Sequence, residues 1–288
     1  MEKYIKEFKK WFKQRITKGA TENTAKDVLW TNYLLLKNNI RYLFKVQPKK
    51  FKTHHNFVLE ETFKNLDKWR KNLWWGGYSE NETTSYFDEK ALKITDEGLH
   101  ITYKNSPRIN RHTGVRMEWM TGTVESLDSY GKGSFEVICE ILPGTGVWYA
   151  PLWFVTKGDG SKEEFTVLPE PDVCEFYTKG DINNFKAQTN FHYGKGYSEE
   201  LHKMIGAVTH KIRNVYNREI SFAMIWEDDY IEFYYDGHLV RKITNREILD
   251  NMKEQIVIIG TGVKRGEQNK YTKEGGGLIV KSFKYWAK

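Results

Sequence analysis

From Phe57 onward, apolar and polar residues alternate in short runs, the two-residue period of half-buried strands. Phe57-Val58-Leu59-Glu60-Glu61-Thr62-Phe63 opens the series. Ala91 to Ile94, a turn at Asp96-Glu97-Gly98, and Leu99 to Tyr103 form a predicted hairpin. Thr121 to Ser126 and the long run Ser134 to Leu142 follow. In the latter, Phe135, Val137, Cys139 and Ile141 share one face. Phe222 to Trp226, Tyr230 to Tyr235 and the Asp236-Gly237 turn into His238-Leu239-Val240 give further hairpins. Gln255 to Gly260 and Leu278 to Trp286 are the last strands. Many short strands at regular spacing predict a mainly β chain folded as a two-sheet antiparallel β-sandwich.

Before residue 54 the period is helical. Tyr4, Ile5, Phe8, Trp11, Phe12 and Ile16 recur every three or four residues, so residues 2–17 are a predicted amphipathic helix that stops near Gly19. A second helix is predicted from Thr24 to Phe44, with Val28, Leu29, Leu36, Ile40 and Leu43 facing inward. Pro48 and the lysines around it mark a linker. The organisation read from the pattern is a basic helical extension over 1–53 and a β domain over 54–288.

Charge sharpens that division. Residues 1–53 hold 14 Lys/Arg against 4 Asp/Glu, which leaves −3 for the rest of a chain whose total is +7. The β domain therefore lacks the basic footprint of a nucleic-acid binder. The extension either docks on the β domain or attaches the chain to a larger assembly or a membrane surface. No apolar run reaches the ~18 residues of a membrane span. Tyr33-Leu34-Leu35-Leu36 is too short for a signal-peptide core. Cys139 and Cys174 are the only cysteines; they read as two buried thiols or one disulfide. No metal-ligand spacing, Rossmann glycine pattern, Walker loop or G-x-S-x-G elbow occurs.

The candidate chemistry lies in Pro169-Glu170-Pro171-Asp172-Val173-Cys174-Glu175-Phe176, an E-x-D-x-x-E pattern between apolar flanks. On a strand, Glu170 and Asp172 share a face, and a regular strand throws Glu175 to the opposite one. One extra residue, a β-bulge at Val173 or Cys174, returns Glu175 to the same face. The two Glu Cα atoms are then about 13 Å apart. Side chains leaning toward each other bring the carboxyls to roughly 5–6 Å, near the ~5–5.5 Å of a retaining glycosidase. Three like charges on a concave face are unfavourable without a functional reason.

Pro-Glu-x-Asp-x-x-Glu after a Trp-rich strand resembles glycoside hydrolase family sixteen, on its laminarinase, agarase and carrageenase side. The resemblance extends over roughly residues 56 to 288. It includes Tyr130-Gly131 with the strand Phe135-Glu136, the Gly146 to Trp153 segment, Thr189 to Gly194, and the strands ending at Trp286. Pro171 stands where that family usually has an aliphatic residue, Lys281 where it has Asp, and Trp148 and Trp153 are five apart instead of four. The resemblance implies a concanavalin A-like jelly roll and an endo-acting, retaining hydrolysis of a β-linked polysaccharide, a laminarin-type glucan or an algal galactan. It implies Glu170 as nucleophile, Glu175 as acid/base and Asp172 between them. Trp119, Trp148, Trp153, Asn190 and His192 are the implied substrate-binding residues.

That chemistry requires no cofactor. The family allows a structural calcium, which nothing in this sequence indicates. A non-catalytic glycan-binding protein and a transglycosylase are the alternatives on the same fold. A polysaccharide enzyme is expected to act outside the cell. Since no export signal is visible, release by lysis or carriage on a particle through the N-terminal helices is the expected route.

Overall fold

The computed structural model describes residues 25–73, 77, 84–143, 147–156, 168–177, 186–196, 201–216, 218–263 and 276–288. The helix expected over 2–17, and Trp74 and Trp75, lie outside the described residues. Among the described residues one helix, α1 (Ala25–Leu43), precedes the strands. In chain order these are β1 (Asn56–Glu61), β2 (Trp69–Arg70), β3 (Ser85–Phe87), β4 (Leu92–Thr95), β5 (Gly98–Ile109), β6 (Arg116–Thr121), β7 (Thr123–Ser126), β8 (Gly133–Leu142) and β9 (Val147–Thr156). Then come β10 (Glu170–Tyr177), β11 (Lys186–Gly194), β12 (His202–Met204), β13 (Val208–Lys211), β14 (Glu219–Trp226), β15 (Ile231–Tyr235) and β16 (His238–Ile243). A one-turn helix α2 (Arg246–Leu249), β17 (Gln255–Val263) and β18 (Gly277–Ala287) complete the chain.

Two sheets form the expected sandwich. One has ten strands in the order β16-β15-β14-β8-β18-β5-β6-β3, with β1 on β18 and β4 on β5. The other has eight, β12-β11-β10-β9-β17-β7-β2, with β13 on β11. Only the short β3–β6 pair is parallel among the described strands. Alternation places Phe135, Val137, Cys139 and Ile141 of β8, Phe222 and Met224 of β14, and Phe233 of β15 against Phe154, Val173, Phe191, Val257 and Ile259 of the other sheet. All of these are fully buried. Each such side chain contributes about 1.5–3 kcal/mol through removal from water. Cys139 and Cys174 sit in this core as unbridged thiols, and burial pushes both upward in pKa.

The sequence expectation for α1 is right in extent and wrong in face. Leu29, Leu36, Ile40 and Leu43 are exposed, at 66%, 61%, 45% and 69%, while Leu34 is buried. The docked face carries Asp27, Leu34, Asn38 and Arg41. Asp27 Oδ1 accepts from the Thr244 backbone N–H (2.7 Å) and hydroxyl (2.6 Å). Arg41 Nη1 donates to the Leu239 carbonyl at 3.1 Å. The helix thus covers β16, an edge strand whose outward backbone groups need partners. Satisfying those groups selects a polar face over the longer apolar stripe.

Residues 44–55 form a largely exposed strap that is fixed to the sheet at a few points. They cross the outer face of the ten-stranded sheet, where Phe51 is buried with Ala223 and Ile225 and meets Tyr234 edge-on at 5.3 Å. Lys49 N–H donates to the Asp236 carbonyl at 3.1 Å, and His238 Nε2 donates to the Gln47 carbonyl at 3.0 Å.

Candidate active site

The E-x-D-x-x-E stretch forms β10, a central strand of the eight-stranded sheet. Its register against β11 pairs Glu170 with His192, Asp172 with Asn190 and Glu175 with Gln188. Three residues step from Asp172 to Glu175 while two step from Asn190 to Gln188, so β10 carries one extra residue there. Val173 and Cys174 are consecutive, yet both are fully buried in the inter-sheet core. Glu170 and Glu175 are half-buried on the other face, with Asp172 buried at 4% exposure between them. The partners of the two Glu residues are four positions apart on β11, which sets their Cα atoms about 13 Å apart along the strand.

The bulge is held from the opposite sheet. The Tyr235 hydroxyl donates to the Val173 carbonyl at 2.9 Å and also lies 3.3 Å from the Gln188 carbonyl. Arg241, buried at 3% exposure, donates to the Thr189 carbonyl at 2.8 Å and the Gly206 carbonyl at 3.0 Å. Pro171 is compatible with this strand because the β9 ladder begins only at Asp172, so no β9 pairing is interrupted at position 171.

Direct partners across the sheet place Arg70, Glu125, Ile258, Trp153, Asp172 and Asn190 in one row on one face. Toward β2 that face is closed by Leu73 and Phe87, which pack on Val155, Ile256 and Ile258. Trp153 borders this small apolar cluster and stands opposite Asp172. β9 has its own extra residue between Ala150 and Trp153, so the five-residue step from Trp148 to Trp153 counts as four along the sheet. Trp148 pairs with Tyr177 and Gly262; its side chain lies outside the described residues.

Polar groups converge on Asp172. His192 Nε2 is 3.1 Å from Asp172 Oδ2 and 2.7 Å from Asn190 Nδ2. On its other side His192 Nδ1 meets His202 Nε2 at 2.8 Å, and the two rings stack at 4.9 Å. Burial, and secondly the neighbouring His192, lower the pKa of His202. The sequence gives no signal for His202. Its place depends on β12 folding back so that it pairs with Gly194. Gly194 has φ +114°, and a Cβ there would stand 2.1 Å from the Leu201 carbonyl, so glycine is needed for that return.

Trp119 is not with this group. It lies on β6 in the ten-stranded sheet, 8% exposed, edge-on to Tyr103 at 5.9 Å. The strand alternation that buries Met117 and Thr121 buries it too. It packs within the main hydrophobic cluster.

A sequence model of the glycosyl hydrolases family 16 matches residues 78–280. The chain belongs to that family. Its sandwich superposes on the laminarinase catalytic domain of Thermotoga maritima with a TM-score of 0.64 at 16% identity, over 82% of this chain and 99% of that one. It is similar to the endo-β-1,3-glucanase of Pyrococcus furiosus, with a TM-score of 0.63 at 17% identity over 84% and 98%. It is equally similar to a structure from work on endo-acting O-glycanases with which human gut bacteria initiate mucin breakdown, with a TM-score of 0.64 at 16% identity over 84% and 94%. No curated protein matches the sequence. Family 16 is a family of glycosidases, and the jelly-roll sandwich is the fold shared with these structures.

Proposed function

We propose that the chain is an endo-acting, retaining glycoside hydrolase of a β-linked polysaccharide, with a laminarin-type glucan as first candidate and an algal galactan as second. The bulged register of β10, which sets Glu170, Asp172 and Glu175 on one face, carries this reading. In the proposed double displacement, Glu170 attacks the anomeric carbon and forms a glycosyl ester. Glu175 protonates the departing glycosidic oxygen, then takes a proton from the water that cleaves the ester. Asp172, buried and in contact with His192, lies between the two on the same face of the strand.

Trp153, beside Asp172, is the proposed stacking platform for a sugar ring, with Trp148 further along β9. His192 and Asn190, opposite Glu170 and Asp172, are the proposed hydrogen-bonding groups for sugar hydroxyls. Laminarinase and endo-β-1,3-glucanase relatives of the same fold favour the glucan.

The test is a panel of laminarin, mixed-linkage glucan, agar, porphyran and carrageenan, read for oligosaccharide release, with the Glu170→Gln variant beside the wild type. Intermediate-length products from one polysaccharide, absent in the variant, are expected. No product from any member, or equal product from the variant, rejects the reading.

A further inference from the structure

A second group of convergent side chains lies away from the carboxylate face, on the outside of the ten-stranded sheet. His54 and His55 end the strap, and Glu227 follows β14. His54 Nε2 is 2.8 Å and His55 Nε2 is 2.7 Å from the same oxygen, Glu227 Oε1. The three ligand atoms all lie within 4.8 Å of one another. Two imidazole nitrogens from adjacent residues and a carboxylate oxygen 172 or more positions away in sequence are the donor set of a zinc-class site. We propose that His54, His55 and Glu227 bind one divalent transition-metal ion of the zinc class, pinning the strap to the sheet.

Four observations support this. The His55 side chain is 3% exposed and that of Glu227 9%, so two of the ligands are already ordered by packing. His55 Nδ1 lies 2.7 Å from Ser134 Oγ, and Ser134 Oγ lies 2.7 Å from Thr53 Oγ1. This is the outer-shell bond that orients a metal-binding imidazole. With Nδ1 bonded to Ser134, the ring of His55 is oriented so that Nε2 points at a carboxylate oxygen 2.7 Å away. Finally, Lys288 takes the other carboxylate oxygen, Oε2, at 2.8 Å and is itself paired with Asp228, which leaves Oε1 to the imidazoles.

A tetrahedral ion with bonds of about 2.0–2.1 Å separates its ligand atoms by about 3.3 Å. The site must therefore open by about half an ångström. His54, whose side chain is 66% exposed, can open its own 2.8 Å contact, and the His55–Glu227 pair must widen from 2.7 Å as well. The remaining coordination position goes to water. The consequence is structural, since the ion would join residues that arrive from opposite ends of the chain.

The experiment uses the full chain, purified in chelator and exchanged into chelator-free buffer. Zn2+ is titrated by calorimetry, Tm is followed with and without Zn2+, and Co2+ is added for its visible spectrum. One Zn2+ per chain, a Tm raised by Zn2+ and the intense visible bands of tetrahedral Co2+ are expected. His54→Ala, an exposed position that folding does not require, should weaken binding by about a hundredfold and abolish the Tm shift. His202→Ala controls for the His192–His202 pair and should leave binding unchanged. Absence of stoichiometric binding, binding unaltered in His54→Ala, or binding lost in His202→Ala instead, overturns the proposal.

Discussion

The hydroxyl of Tyr235, in the ten-stranded sheet, donates to the carbonyl of Val173, in the bulge of the eight-stranded sheet, at 2.9 Å. A bulge leaves backbone groups without ladder partners, and here the partner comes from across the core. Tyr235→Phe keeps the ring and removes the bond. It should cost about 1–3 kcal/mol, the penalty for an unsatisfied buried carbonyl. If the bond also fixes the spacing of Glu170 and Glu175, kcat should fall about tenfold or more while KM changes little. Denaturant unfolding and steady-state kinetics measure the two effects. A variant that loses stability and keeps full kcat would show that Tyr235 serves the core alone.

The roles assigned to the two Glu residues are separable. Glu170→Gln should abolish cleavage of every substrate, because no other group forms the ester. Glu175→Ala should lose polysaccharide cleavage yet still react with an activated aryl glycoside, whose leaving group needs no proton. Azide should then restore its turnover and give a glycosyl azide of retained configuration. With Glu170→Ala, azide attacks directly and should give the inverted product. Product stereochemistry by NMR decides, and exchanged outcomes would reverse the assignment.

The docking of α1 depends on a buried carboxylate. Asp27 is 3% exposed and receives both the backbone N–H and the hydroxyl of Thr244. Asp27→Ala should destabilise the chain by about 1–3 kcal/mol and raise hydrogen exchange across α1 and β16. Polysaccharide cleavage at temperatures well below Tm should be unchanged, since neither element carries a proposed catalytic side chain. A fall in kcat without loss of exchange protection would tie the extension to the active site.

His202 titrates in the folded protein below the ~6.5 of an ordinary imidazole, because burial, then the adjacent His192, opposes its charge. The unfolded chain therefore binds this proton more readily than the folded one. Stability tied to neutral His202 is complete above about pH 6.5 and is lost as pH falls toward the depressed folded pKa. The Tm of His202→Gln should accordingly gain on that of the wild type as pH is lowered from 7 to 5. A constant difference across that range would show that His202 titrates normally.

The sequence by itself determined the strand series from Phe57, the carboxylate trio and the need for one extra residue between Asp172 and Glu175. These follow from backbone period and side-chain type, which act over a few residues. Short strands without a clear alternation, such as β3, β12 and β13, were not legible for the same reason. Tertiary structure alone decided which face of α1 is buried. The exposed stripe at Leu29, Leu36, Ile40 and Leu43 is the stronger pattern, but edge-strand backbone groups at β16 selected the face of Asp27, Leu34 and Arg41 instead. It also decided that Trp119 packs in the core while Trp153 borders Asp172, since sheet membership is set by pairing. His202 beside His192, and His54 and His55 on Glu227, depend on contacts between segments whose sequence separation carries no local signal. Such contacts form only after both sheets have closed and the strap has crossed the outer face.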